Sequence, residues 1–166
     1  GYLELYREKF GPDFFAFDQM GVHFIMLNAP LINSGLESEK MQRNWLENYF
    51  ESKKGERFIV NIHYPIFLTE RNEGSHYDNI DEPGRTWLLD LFQKYDVEVL
   101  FAGHVHNFWY QRFAGIDCYY LPSTAMIRQD YSEMARTPPE VDMEGGRNDQ
   151  PKHGYFLIHI YERGHI

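Results

Sequence analysis

Two spacings of apolar residues divide the chain. "FFAF" (14–17) and "VHFIML" (22–27) are strand-like runs joined by a turn around Gly21, which predicts a hairpin after a short helical or irregular lead-in. Residues 37 to 53 place Met41, Trp45, Leu46, Tyr49 and Phe50 at helical spacing among charges, with Ser38 as the expected cap and Gly55 as the expected stop. "RFIVNIHYP" (57–65) is a compact strand ending at His63, and Pro65 closes it. A polar excursion follows from 68 to 84, then a helix from Pro83 through "GRTWLLDLFQKY", then the buried strand "VEVLFAG" (97–103). "FWYQRF", "DCYYLP" and "GYFLIHIYE" read as further strands, with a polar, Pro/Gly-rich loop at 132–152 before the last of them. Strand, helix, strand, helix, strand in the middle predicts an α/β layer, and the flanking strands make the sheet mixed. One domain accounts for 166 residues.

Composition narrows the possibilities. A net charge of −9 leaves no basic footprint for a nucleic acid backbone, and none is expected as a partner. It does not exclude a phosphorylated substrate, because bound cations can reverse the sign of a site. No apolar run approaches the ~20 residues of a membrane-spanning helix. The single cysteine, Cys118, rules out an internal disulfide and a cysteine-rich zinc site, and its apolar run marks it as a core residue.

The candidate chemistry lies in three histidines. His63 and His104 each follow an apolar strand, and in open α/β sheets ligands bind beyond the carboxyl ends of the strands. If the backbone stays extended through "GHVH" (103–106), residues two apart point the same way, so His104 and His106 face one site. That arrangement suits two adjacent metal ions at least as well as one.

"NIHYP" (61–65) and "AGHVH" (102–106), in that order, resemble the last two metal-binding blocks of the calcineurin-like metallophosphoesterases. "FGPDFFAFDQMGVHFIMLN" (10–28) resembles the strand pair that precedes them in purple-acid-phosphatase-like members. The resemblance implies the C-terminal half of a four-layer α/β/β/α sandwich. It implies that His63 and His104 ligate one metal ion and His106 another, with a hydroxide between the ions attacking a phosphoester. Zinc, manganese and iron suit such ligands about equally. The family's earlier blocks, D-x-H, G-D-x-x-D and G-N-H, do not occur here. This chain is therefore expected to be the C-terminal portion of a catalytic domain, supplying part of a site and inactive alone. Three neutral imidazoles offset none of the charge of two dications.

Other polar residues receive lesser roles. His76, beside Tyr77 and Asp78 in the polar excursion, is a candidate substrate contact, whereas Asp78, Asp81 and Glu82 read as a solvated acidic loop. His23 alternates with apolar neighbours and is expected to face away from them, solvated or hydrogen-bonded. Two other functions fit the same residues. One is a non-catalytic binding or regulatory module that keeps the fold, and the other is a hydrolase with a single zinc on His63, His104 and His106.

Overall fold

The computed structural model describes residues 1–125 and 153–166. The polar segment at 132–152 lies outside the described residues. An N-terminal helix α1 (Tyr2–Phe10) leads into a hairpin of β1 (Phe15–Gln19) and β2 (Val22–Met26). Its two-residue turn puts Met20 at φ 55 and Gly21 at φ 78. Paired positive φ is what a tight hairpin needs, and glycine adopts it without steric cost. Then come α2 (Glu37–Ser52), β3 (Arg57–Ile62), α3 (Gly84–Lys94), β4 (Val99–Ala102) and a second hairpin of β5 (Trp109–Phe113) and β6 (Ile116–Tyr120).

The strands form one six-stranded sheet in the order β1-β2-β3-β4-β6-β5. β2, β3, β4 and β6 run parallel, and β1 and β5 close the edges antiparallel. This is the mixed α/β sheet with flanking helices that the patterning predicts. Phe58, Val60 and Ile62 of β3 face the main core with Leu46 and Phe50 of α2 and Leu88, Leu89 and Phe92 of α3. Ile59 faces the other way and joins Val22, Val99 and Phe101 in a smaller cluster, against which Phe24, Tyr119 and Ile158 pack. Phe50 joins the two helices to the sheet, edge-on to Phe58 at 4.7 Å and stacked on Tyr95 at 5.1 Å.

Local details differ from the sequence expectations at the start of α2 and in the last predicted strand. Ser38 does not cap α2; Leu36 holds that position without a side-chain bond. Glu39 reaches back instead and accepts the N–H groups of Asn33 and Gly35, at 2.8 and 2.7 Å. One carboxylate thus satisfies two N–H groups of the loop that leads into α2. Among the described residues, "GYFLIHIYE" forms one isolated bridge, between Ile160 and His165. The segment lies on the second face of the sheet through Ile158 rather than adding a strand to it.

Candidate metal centre

The parallel strands β2, β3 and β4 end at one edge, and backbone bonds tie the exits together. Leu27 N–H donates to Asn61 C=O (2.9 Å), Gly103 N–H to His63 C=O (3.0 Å) and Leu121 N–H to Ala102 C=O (2.7 Å). His63 leaves β3 beside the start of the histidine turn that leaves β4.

That turn is not extended. His104 and His106 have φ of 67° and 58°, in the left-handed region that side chains with a Cβ rarely adopt. Val105 N–H donates to Gly103 C=O at 2.7 Å, which makes His104 the centre of a γ-turn of the strained kind. Val105 is buried in the main core, and the Asn107 amide braces the turn by donating to the Val105 carbonyl at 3.2 Å. His104 and His106 do face one cleft, as expected, but a bent backbone puts them there. Strain of this type persists where packing over-determines it, and it concentrates at functional sites.

The cleft has a volume of about 530 Å³ and is lined by Asn61, Gly103, His104, His106, Ser123 and Thr124, among others. His63 borders a neighbouring cleft with Asp13 and Asn28, yet its ring reaches the pair. His63 Nε2 lies 3.3 Å from His104 Nδ1. His104 Nε2 lies 3.2 Å from the Tyr77 carbonyl and 3.1 Å from Asp78 Oδ1. Both of those partners are acceptors, so Nε2 carries the proton and the lone pair of neutral His104 sits on Nδ1, toward His63. Two imidazole nitrogens bound to one tetrahedral cation at about 2.0–2.1 Å would stand roughly 3.3–3.4 Å apart. The observed separation fits that edge. Among the described residues His106 Nδ1 is buried with no hydrogen-bond partner, a second atom suited to a cation. His63 is exposed as a residue, but burial of its ring, followed by the charges of His104 and His106, holds its pKa below the usual imidazole range. The neutral form, which ligates metal, is thereby favoured.

Asp78 departs from expectation. It is buried rather than solvated, and it contacts His104. The loop that delivers it is built around Arg85 and Glu73. The buried Arg85 guanidinium donates to the carbonyls of Ile80 (2.8 Å), Arg71 (3.0 Å) and Glu73 (2.7 Å). Glu73 accepts from Leu68 N–H, Thr69 N–H and Asn79 Nδ2, each at 2.8 Å, and from the Thr69 hydroxyl at 2.9 Å. Burial alone would raise its pKa, but these donors outweigh it and hold the carboxyl down to about 2. His76 belongs to this scaffold, with Nε2 3.2 Å from Glu73 Oε1 and Nδ1 accepting from Asp78 N–H at 3.3 Å. Periodicity carries no signal for such a loop; the mixture of Glu, Asn, Thr and Arg in a polar excursion looks the same whether it is solvated or internally bonded.

No family model matches the chain. Among curated proteins it is 28% identical to mouse serine/threonine-protein phosphatase CPPED1 over 111 residues, 63% of this chain and 36% of that protein. It is 34% identical to purple acid phosphatase 21 of Arabidopsis thaliana over 106 residues, 62% of this chain and 22% of that protein. The matched stretch thus spans little more than a third of the mouse relative and less of the plant one. In fold it is similar to a dimetal phosphatase from Danio rerio, with a TM-score of 0.55 at 12% identity over 72% of this chain and 56% of that one. It is also similar to GAP50, the anchor in the inner membrane complex of Plasmodium, with a TM-score of 0.52 at 19% identity over 68% and 37%. In its histidine motifs, its relatives and its fold, the chain is similar to calcineurin-like metallophosphoesterases, matched over part of their length.

Proposed function

We propose that residues 1–166 form the C-terminal portion of a metal-dependent phosphoesterase domain and supply part of a two-metal site. The observation that carries this reading is the 3.3 Å approach of His63 Nε2 to His104 Nδ1 while the far nitrogen of His104 is anchored by Tyr77 and Asp78. His63 and His104 would hold one ion, and His106, through its partnerless Nδ1, the other. When bound, the ions supply Lewis-acid polarisation of the phosphoryl group and activation of water. The chain's own residues position them: Asp78 and the Tyr77 carbonyl fix the tautomer of His104, and Val105 locks the turn from below. The cleft beside His104 and His106 is where a phosphoester would sit. The relatives named as phosphatases support the substrate class, and the partial coverage of those relatives supports the remaining ligands lying outside this chain.

A second reading, a non-catalytic module, is favoured by the charge of the site: the three imidazoles bring no negative charge to balance two dications. Fold does not decide between them, since it recurs in a protein described as an anchor. The test compares this chain with the protein expressed in its full native reading frame, measuring bound metal per chain and hydrolysis of an aryl phosphate. Two ions and turnover in the full protein are expected, with one ion and the turnover lost in His104→Ala. A full protein that binds no metal and cleaves nothing sinks the proposal.

A further inference from the structure

At the opposite end of the strands a different group of ligand-type side chains converges. Asp18 pairs directly with His23 across β1 and β2, so their side chains share a face. Glu56, in the turn before β3, arrives beside them. His23 sits opposite Phe58 in the parallel register of β2 and β3, five residues before His63. The two histidine groups are therefore separated by about 16 Å of strand.

Of the two expectations for His23, solvated or hydrogen-bonded, the structure shows the second. His23 is 2% exposed, packed between Tyr49 and Phe58, and hydrogen-bonded at both ring nitrogens. Nδ1 lies 2.8 Å from the Tyr49 hydroxyl, and Nε2 contacts Glu56 Oε2 and lies 3.8 Å from Asp18 Oδ2. One ligand atom from each of the three residues falls within 4.8 Å of the others.

We propose that Asp18, His23 and Glu56 form a divalent-cation site of the zinc or manganese type. One imidazole and two carboxylates are the mixed nitrogen and oxygen donors that suit these ions. The imidazole is pre-oriented: in the metal-free chain Nε2–H donates to the Glu56 carboxylate and Nδ1 accepts from the Tyr49 hydroxyl, and a cation that replaces the Nε2 proton would leave Nδ1–H to donate to the Tyr49 oxygen with the ring unmoved. A metal-bound histidine characteristically has such an outer partner. Two carboxylates and a neutral imidazole balance a dication. Lys53 lies 4.0 Å from the other oxygen of Glu56, leaving Oε2 to the cluster. Both carboxylates are exposed, so the ion has an entry path and water can complete its shell. The 3.8 Å from Nε2 to Asp18 is slightly wide of the roughly 3.3–3.4 Å edge of a tetrahedral zinc site, and Glu56 is inside it. Small rotations of two solvent-facing side chains close the difference.

The test uses Zn²⁺ as the probe and the 166-residue chain with His63, His104 and His106 all replaced by alanine. Isothermal titration should show one zinc bound per chain, and Asp18→Asn and Glu56→Gln should each weaken it about tenfold or more. Both variants alter exposed side chains, and circular dichroism checks their fold. In the otherwise unaltered chain the same two variants should remove one zinc from the total, which guards against damage by the triple replacement. Zinc should also shift the Nε2 resonance of His23 and place the ring proton on Nδ1 in nitrogen-15 spectra. Absence of binding at high-micromolar zinc, or equal affinity in Asp18→Asn, Glu56→Gln and parent, would overturn the site. Neither outcome bears on the His63–His104 centre.

Discussion

Glu73 offers the most quantitative check on how the loop beneath the candidate centre is held. Its side chain is 8% exposed and its carboxyl titrates at about 2, against 4.5 for an unperturbed group. A depressed folded-state pKa means that the unfolded chain takes up the proton first as pH falls. The carboxylate therefore contributes stability above about pH 4.5, and the contribution is lost between there and about pH 2. The shift corresponds to about 3 kcal/mol at neutral pH, from 1.36 kcal/mol per pKa unit, with solvent screening reducing it toward 2. Glu73→Gln keeps the shape and one carbonyl acceptor but removes the charge. Urea unfolding of both proteins from pH 3 to 7 should show the variant about 2–3 kcal/mol less stable at pH 6–7. The gap should shrink steadily below pH 4.5. A gap that stays constant with pH would refute the reasoning, because it would place the cost in geometry rather than in the charge.

Two further outcomes follow from the contacts. A Cβ at Gly84 would stand 2.3 Å from Ile32 Cγ2 and 2.8 Å from Asn33 Oδ1, so Gly84→Ala should cost about 1–3 kcal/mol in urea despite alanine's better helix propensity; an unchanged midpoint would show that the α3 start can shift. Asp78→Asn keeps an acceptor near His104 but removes its charge, and should weaken zinc or manganese binding at His63 and His104 by about tenfold in calorimetry; equal affinity would leave the Tyr77 carbonyl as the sole determinant of the tautomer.

Much of the architecture was legible in the sequence because it rests on local period. The compact apolar run of β3, bounded by Pro65, and the helical spacing of Leu46 and Phe50 are local signals. Where the polar excursion begins follows from the lack of either period. The histidines were legible for another reason. Strand ends in a parallel sheet share an edge, so two apolar runs each ending in His63 or His104 already imply proximity. Other features depend on contacts between segments far apart in sequence. Asp78 looks solvated until the Arg85 guanidinium, donating to three loop carbonyls, folds the excursion back over His104. His23 looks outward until Tyr49 and Glu56 arrive to bond both its nitrogens, which is what makes burial of an imidazole affordable. The left-handed turn at 104–106 has no local residue that demands it; the buried Val105 and the backbone bond to Gly103 impose it. The sequence alone determined the central strands and helices and which edge of the sheet carries the imidazoles, since those depend on hydrophobic period and chain direction. The orientation of each imidazole, and the carboxylates that reach it, were decided only in the tertiary structure, because buried polar groups take their partners from wherever the packed chain supplies them.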